Sequence, residues 1–344
     1  MKVLITGSAG HLGEALVRTL REAGHEPIGL DIQPAPFTSI VGSLADARVA
    51  EAAVRGADAV LHAAALHKPH IVTHTPREFV DTNVVGTLNL LEAAVASGVK
   101  AFVYTSTTSV FGRALTPAAG EPTAWITEDV VPLPKNIYGV TKKAAEDLCE
   151  LFHRKHGLPC VVLRTSRFFP DEDDADAIRA AYDDRNVKVN EYLYRRVDLE
   201  DVVSAHLRAI ERAASLGFGC YIVSATTPFV PDDAAQLRTD APAVLARRFP
   251  SYEAEYGRRG WRMFCSIDRV YSNARARREL EWEPRWSFAH ILERLRADED
   301  MASALALAVG FKGYHAGTFA GGMYPTDPAD EPSVHARKPE DKGR

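Results

Sequence analysis

Cysteine is scarce and scattered in this chain: Cys149, Cys160, Cys220 and Cys265 stand far apart, with no C-x-x-C pair. That spacing gives no zinc framework and points to reduced thiols in a cytoplasmic protein. Positive charge is not in excess, with 41 Lys and Arg against 46 Asp and Glu and a net charge of -5, so no nucleic-acid partner is expected. No stretch approaches the ~20 consecutive apolar residues of a membrane helix. The opening MKVLITG is a short strand-like run rather than the charged region and longer apolar core of a signal peptide. The expectation is a soluble, cytoplasmic protein with no membrane partner. No internal repeat is found.

What is present is a chain of 344 residues, 46% hydrophobic and 25% charged, long enough for two domains or for one large α/β unit with a lobe. Its first half alternates strand-like runs with helix-like segments. The runs are KVLIT (2–6), EPIGLD (26–31), DAVLHAA (58–64), KAFVYTS (100–106) and CVVLRTS (160–166). Between them lie helical patterns over 11–24, 45–56, 77–98 and 138–156. Strands joined through helices of this length imply right-handed crossovers and a parallel sheet covered on both faces, a doubly wound Rossmann-like α/β fold. After Ser166 an acidic segment (171–184) precedes a strand-helix return (195–213) and the strand GCYIVSA (219–225). From Thr226 to about Leu307 the pattern is irregularly helical, as in a smaller C-terminal lobe.

The first strand runs straight into TGSAGHLG, which sets Gly7, Gly10 and Gly13 where a helix must begin. Glycines there let the backbone turn sharply and approach a ligand, and the helix start offers free N–H groups and a positive dipole end to a diphosphate. The motif in this position, between a strand and a helix, points to a dinucleotide. Asp31 ends the second strand at about the distance expected of an acid that accepts hydrogen bonds from the adenosine ribose. A 2′-phosphate would face that carboxylate, and no Arg follows in DIQPAP, so NAD is favoured over NADP.

Tyr138 and Lys142, in YGVTK, stand four apart at the start of a helical stretch and so share one face. Together with LHAAA (61–65), DTNVVGTLNLLEAA (81–94), FVYTSTTSVFG (102–112) and WEPRWSF (282–288), these motifs resemble the extended short-chain dehydrogenase/reductases, the NAD-dependent epimerase/dehydratase family. The resemblance covers most of the first 225 residues and part of the lobe. It implies an NAD-binding domain over 1–167 and 195–225 and a substrate lobe over 168–194 and 226–315; the composition of the ending, rich in Pro and charge from Pro325, adds the expectation of a partly flexible tail over 316–344. The resemblance also implies hydride transfer between NAD and a secondary hydroxyl of a sugar-like small molecule.

In that reading Tyr138 is general base or acid, and must titrate far below the ~10 of free tyrosine. Lys142 and the positive nicotinamide ring favour the phenolate, and Thr107 holds the substrate oxygen, with Ser106 its neighbour. The resemblance further places His11, Leu12, Ile32, Ser43, Leu44, Ala63, Ala64, Ala65 and Thr105 along the cofactor, and makes Asn83 a brace of the active-site backbone.

The sequence departs from the family at informative points. Thr107 is followed by Thr108 and Ser109 rather than an acid, which disfavours dehydration. LRTSRFFP (163–170) carries Arg167 where nucleotide-sugar epimerases have Asn, and no Gly-Asp-Gly loop for a diphosphate follows. A smaller substrate then fits, and Arg167 either pairs with its carboxylate, sulfonate or phosphate or pairs with the acidic run Asp171–Asp174. His67 and Lys68 follow the third strand and reach toward a substrate or simply face solvent. The spacing of His62, His67 and His70 fits no usual metal site. Three readings stay open: a sugar or sugar-acid dehydrogenase, a UDP-glucose type 4-epimerase with bound NAD, and a non-catalytic NAD-binding regulatory protein. A homodimer through helices 77–98 and 138–156 is expected from relatives.

Overall fold

A computed structural model describes residues 1–313 of the chain. The tail from 316 and most of the Gly- and aromatic-rich segment 310–325 therefore lie outside the described residues. Seven strands form one parallel sheet: β1 (Lys2–Thr6), β2 (Glu26–Asp31), β3 (Ile40–Val41), β4 (Ala59–His62), β5 (Ala101–Thr107), β7 (Cys160–Thr165) and β8 (Phe218–Val223). Their order is β3-β2-β1-β4-β5-β7-β8. A separate parallel pair joins β6 (Ala124–Ile126) to β9 (Arg269–Tyr271).

Central strands buried on both faces need apolar residues at odd and even positions alike, which explains the continuous hydrophobic runs. On one face Val3, Ile5, Leu61, Val103 and Leu163 pack against Leu12, Leu16 and Leu20 of the helix His11–Glu22 and Val202 and Ala209 of the helix Leu199–Leu216. On the other, Leu4, Val60, Phe102, Tyr104 and Val162 meet Leu90, Ala94, Ala145, Cys149 and Phe152 of the helices Gly86–Ala96 and Ile137–His156. A second core around Leu193, Phe264, Trp286, Phe288 and Ile291 fills the C-terminal lobe.

The chain leaves β1 toward β2 on one side and β4 toward β5 on the other. A crevice opens at that switch, beyond the carboxyl ends of the strands. No helix among the described residues is long and apolar enough to cross a membrane.

Three differences from the sequence-based expectation have local causes. The run 58–64 ends as a strand at His62, because the Ala64 N–H leaves the ladder and donates to Thr6 Oγ1 at 3.1 Å. The helix expected over 77–98 is α-helical at Pro76–Val80, passes through a π turn at Asp81–Val85, and resumes at Gly86–Ala96. That wide turn contains the buried Asn83, whose Oδ1 accepts from Leu66 N at 2.8 Å. The strand expected near 195 shrinks to a single bridge between Arg167 and Arg196, and the helix begins only where Asp198 caps the Glu200 N–H at 2.8 Å. The strands β3, β6 and β9 have two or three residues each, too few to show a period in sequence.

Candidate active site

One cavity of about 1360 Å³ runs along the crevice, from the glycine loop to the lobe. At its first end Gly7 adopts φ +75°, and a Cβ on it would stand 2.8 Å from Ala64 N; a Cβ on Gly13 would stand 1.9 Å from Gly7 O. Both sites require glycine, because the helix start must press against the β1 turn and that turn against Ala63 and Ala64. Gly10 caps the helix His11–Glu22 without a side-chain hydrogen bond. The dipole's positive end is therefore available to an anion.

Asp31 stands beside this turn, accepting from Ala9 N at 3.0 Å and Gln33 N at 2.9 Å. A cradle that any side chain would fill, followed by a carboxylate at the next strand end, suits the diphosphate and ribose of a dinucleotide. Leu12, Ile32, Ser43, Leu44 and Ala65 line the same stretch.

The turn is braced by a group that sequence reading weighed only as a metal ligand. His62, fully buried on β4, bonds Thr6 Oγ1 through Nδ1 at 2.7 Å and Thr87 Oγ1 through Nε2 at 2.9 Å. Burial, with the Lys142 charge, pushes its imidazole down to about 3, so it bridges as a neutral ring. Only the His at a strand end opposite Thr6 signals this in sequence, and the partner Thr87 is 25 residues away.

The other end is built on the helix Ile137–His156, capped by the Asn136 side chain at Gly139 N and stopped by Gly157 in the left-handed conformation. Both Tyr138 and Lys142 are buried on its first turns. Lys142 Nζ donates to Thr105 O at 2.6 Å and lies 4.2 Å from the Tyr104 ring centre. Burial lowers this ammonium to about 7, against the raising effect of Glu146. Burial pushes the Tyr138 phenol up to about 12, while a hydrogen bond with Thr107 pulls it the other way. The lowered phenol expected from sequence is thus not produced by the protein's own residues: Lys142, turned to the Thr105 carbonyl, does not outweigh desolvation.

Thr107 ends β5 and accepts from Ser109 N at 3.1 Å, which fixes its hydroxyl beside Tyr138. Its neighbours point elsewhere. Ser106 donates to Glu146 at 2.6 Å, within a bidentate pair of Glu146 with Arg164 at 3.0 and 2.8 Å. The Thr105 hydroxyl meets His206 Nε2 at 2.8 Å, so Thr105 serves the site through its carbonyl. Asn83 does not line the cavity; it ties Leu66 O at 3.0 Å and Thr141 Oγ1 at 3.1 Å, joining the loop after β4 to the Tyr138 helix.

The lobe side of the cavity carries charge. Arg167 pairs with Asp173 at 2.9 Å and approaches Asp174 at 3.8 Å, both in the acidic run that one sequence reading gave it, and also approaches Glu191 at 3.5 Å, which that reading did not name. Lys68 meets Asp174 at 3.3 Å. Burial disfavours ionised Glu191, but Arg195, Arg167 and Arg196 hold it down to about 2.

His67 packs near Tyr138, with ring centres 6.0 Å apart, and burial lowers it to about 3. Arg195, Arg269, Tyr271 and Phe169 also face this end, and sequence reading named none of them. Arg269 and Tyr271 lie on β9, and Phe169 and Arg195 flank the excursion of the chain between β7 and the helix Leu199–Leu216. Among the described residues no group of three or more His, Cys, Asp or Glu is placed to hold a metal ion.

Known proteins similar to this chain identify its family. The model of the "NAD dependent epimerase/dehydratase family" matches residues 3–219. A dTDP-glucose 4,6-dehydratase of Streptomyces antibioticus is 34% identical over 186 residues, covering 48% of this chain and 53% of that protein. The matched part thus spans about half the length of that relative. A UDP-glucose 4-epimerase of Rhizobium meliloti is 28% identical over 343 residues, covering 85% of this chain and 94% of that one.

Among solved structures, a short-chain dehydrogenase/reductase superfamily protein from Agrobacterium tumefaciens with bound NAD superposes with a TM-score of 0.61. It is 24% identical and covers 87% of this chain and 98% of its own. A mutated uronate dehydrogenase has a TM-score of 0.56 at 22% identity and covers 91% of each chain. At those identities the likeness is one of fold. On the family match, the glycine cradle and the Tyr-Lys pair, this chain belongs to the NAD-dependent epimerase/dehydratase family and its cofactor is NAD.

Proposed function

We propose that the chain oxidises a secondary hydroxyl of a sugar or sugar-acid-like small molecule, with Tyr138 as general base. The observation that carries this is the joint placement of Thr107, Tyr138 and Lys142 between the glycine cradle and the arginine-lined end of one cavity. The substrate hydroxyl bonds Thr107 and Tyr138, and the phenol oxygen takes its proton as the hydride leaves the same carbon. NAD, when bound, accepts that hydride and brings a positive ring that favours the phenolate. Lys142, fixed at the Thr105 carbonyl, adds a second cationic group one helical turn away.

Arg167 and Arg195 line the cavity together with Asp173, to which both are paired, and we infer that an anionic substrate group docks there by exchanging with that carboxylate. His67 flanks Tyr138 on the same side. The domain division follows the same logic, a nucleotide domain over 1–167 and 195–225 and a substrate lobe over 168–194 and 226–315. We place the protein in the cytoplasm, as a homodimer through the helices at 76–96 and 137–156, on which Val80 and Val140 stay exposed.

A second reading, nucleotide-sugar 4-epimerase with returned hydride, is supported by the 85% coverage with the Rhizobium meliloti UDP-glucose 4-epimerase. A non-catalytic NAD-binding regulator has no use for the Thr107, Tyr138 and Lys142 set. The test is NADH absorbance while protein and NAD meet a panel of neutral sugars, sugar acids, sugar phosphates and UDP-sugars. Sustained reduction with a sugar or sugar acid supports the dehydrogenase. Conversion of UDP-glucose without net reduction replaces it by the epimerase, and no turnover of any kind leaves the regulator.

A further inference from the structure

The chain returns to the glycine loop after its last described helix, Ala304–Val309. Gly310 turns it with φ +64°, and Lys312 and Gly313 then line the same cavity as Gly10, His11 and Gly13. Two side chains on the first turn of the helix His11–Glu22 hold this segment. Lys312 N donates to His11 Nε2 at 3.1 Å, and His11 also hydrogen-bonds the Gly310 backbone, so the imidazole is clamped between two groups of the returning chain. Phe311 adds an edge-on contact with the same ring. The Lys312 ammonium pairs with Glu14, whose side chain is 5% exposed and which also binds Arg18. Burial and the nearby Lys312 charge lower His11 to about 4, which keeps its acceptor nitrogen unprotonated at neutral pH.

Glu14 poses an electrostatic problem for this site. It is a buried carboxylate in the first helical turn, at the end of the helix whose dipole is there to receive the cofactor's diphosphate. Two negative groups at that place repel each other, and the low exposure of Glu14 leaves little solvent to screen them. Arg18 is partly exposed and binds Glu14 from the next turn, whereas Lys312 approaches from the cavity side.

We propose that Gly310–Gly313 forms a strap across the diphosphate end of the cofactor site, latched by His11 and Glu14, and that Lys312 is a cofactor-binding residue whose charge offsets Glu14. The inference needs NAD in this cavity but no particular substrate, so its fate is separate from that of the dehydrogenase reading.

Calorimetric titration of NAD into the full chain tests it. Lys312→Met weakens NAD by about tenfold, the scale of one charge-assisted contact, while Lys312→Arg stays within about threefold of the parent. Adding Glu14→Gln to Lys312→Met recovers most of the loss, because the uncompensated carboxylate is gone. Glu14→Gln alone binds NAD at least as tightly as the parent, an arm that does not depend on the strap variant folding normally. Hydrogen exchange at peptides covering 304–313 slows when NAD is added to the parent. Unchanged NAD affinity in Lys312→Met, a loss that Glu14→Gln does not recover, or exchange indifferent to NAD would each overturn the proposal.

Discussion

The Lys142 ammonium donates to the Thr105 carbonyl at 2.6 Å, tying the helix of Tyr138 to the end of β5 that carries Thr107. One bond thereby sets the spacing of three polar groups drawn from two elements far apart in sequence. It also commits a cation to a buried place, with consequences that can be measured.

Stability should rise with pH on account of Lys142. Its folded value is lowered to about 7 from the ordinary 10.5, so below about pH 7 the folded chain bears the full cost of a buried charge. Between the two values the unfolded chain binds the extra proton, and stability climbs across that window. Lys142→Met should therefore raise the melting temperature more at about pH 6 than at about pH 10, by scanning calorimetry. A larger gain at the higher pH would show that the lysine is not held down by burial.

Removing the Tyr138 hydroxyl should separate chemistry from binding. Tyr138→Phe is expected to lower turnover by roughly 10²–10⁴-fold, the range for loss of a general base, with NAD affinity nearly unchanged. Thr107→Ala should lower it too, since Thr107 touches the Tyr138 hydroxyl. Stopped-flow NADH absorbance and calorimetry read the two quantities separately; full turnover in the Phe variant would remove Tyr138 from the mechanism.

Two glycine substitutions should act in opposite directions. Gly13→Ala drives a methyl to 1.9 Å from Gly7 O, against backbone that cannot swing aside, and should cost about 1–3 kcal/mol or more and abolish NAD binding. Gly257, inside the helix Tyr252–Arg259 with nothing within 4 Å of its would-be Cβ, should become more stable as Ala by about 0.5–1 kcal/mol. Urea unfolding of both variants tests this pair.

The Glu146–Arg164 pair, with side chains 5% and 7% exposed, lies under the active-site strand. Glu146→Met strands the guanidinium without its partner and should cost about 3–5 kcal/mol, whereas Glu146→Met with Arg164→Met should cost clearly less. A double-mutant cycle by chemical denaturation would show a coupling near zero if the pair were solvated.

Much of the fold was legible because the sheet is central. A strand buried on both faces must be apolar throughout, so KVLIT coincides with β1 to the residue; EPIGLD also coincides with β2, although only Gly29 and Leu30 of that strand are buried. The interruptions were not legible. The π turn at Asp81–Val85 looks helical in sequence, and β4 stops at His62 only because Ala64 bonds Thr6 across 58 residues.

Of the site, the glycine loop, Asp31 and the Tyr138–Lys142 pair announce themselves in sequence, because each is a local spacing that one strand end or one helical turn converts directly into geometry. Tertiary structure decided the rest. It turned Ser106 to Glu146, gave Arg167 to Asp173 and Glu191, brought Arg195 and Arg269 to the cavity, and laid Lys312 against Glu14 across 298 residues. Those choices depend on which charges are buried together, and the energy of a buried charge is set by neighbours that the order of residues along the chain does not display.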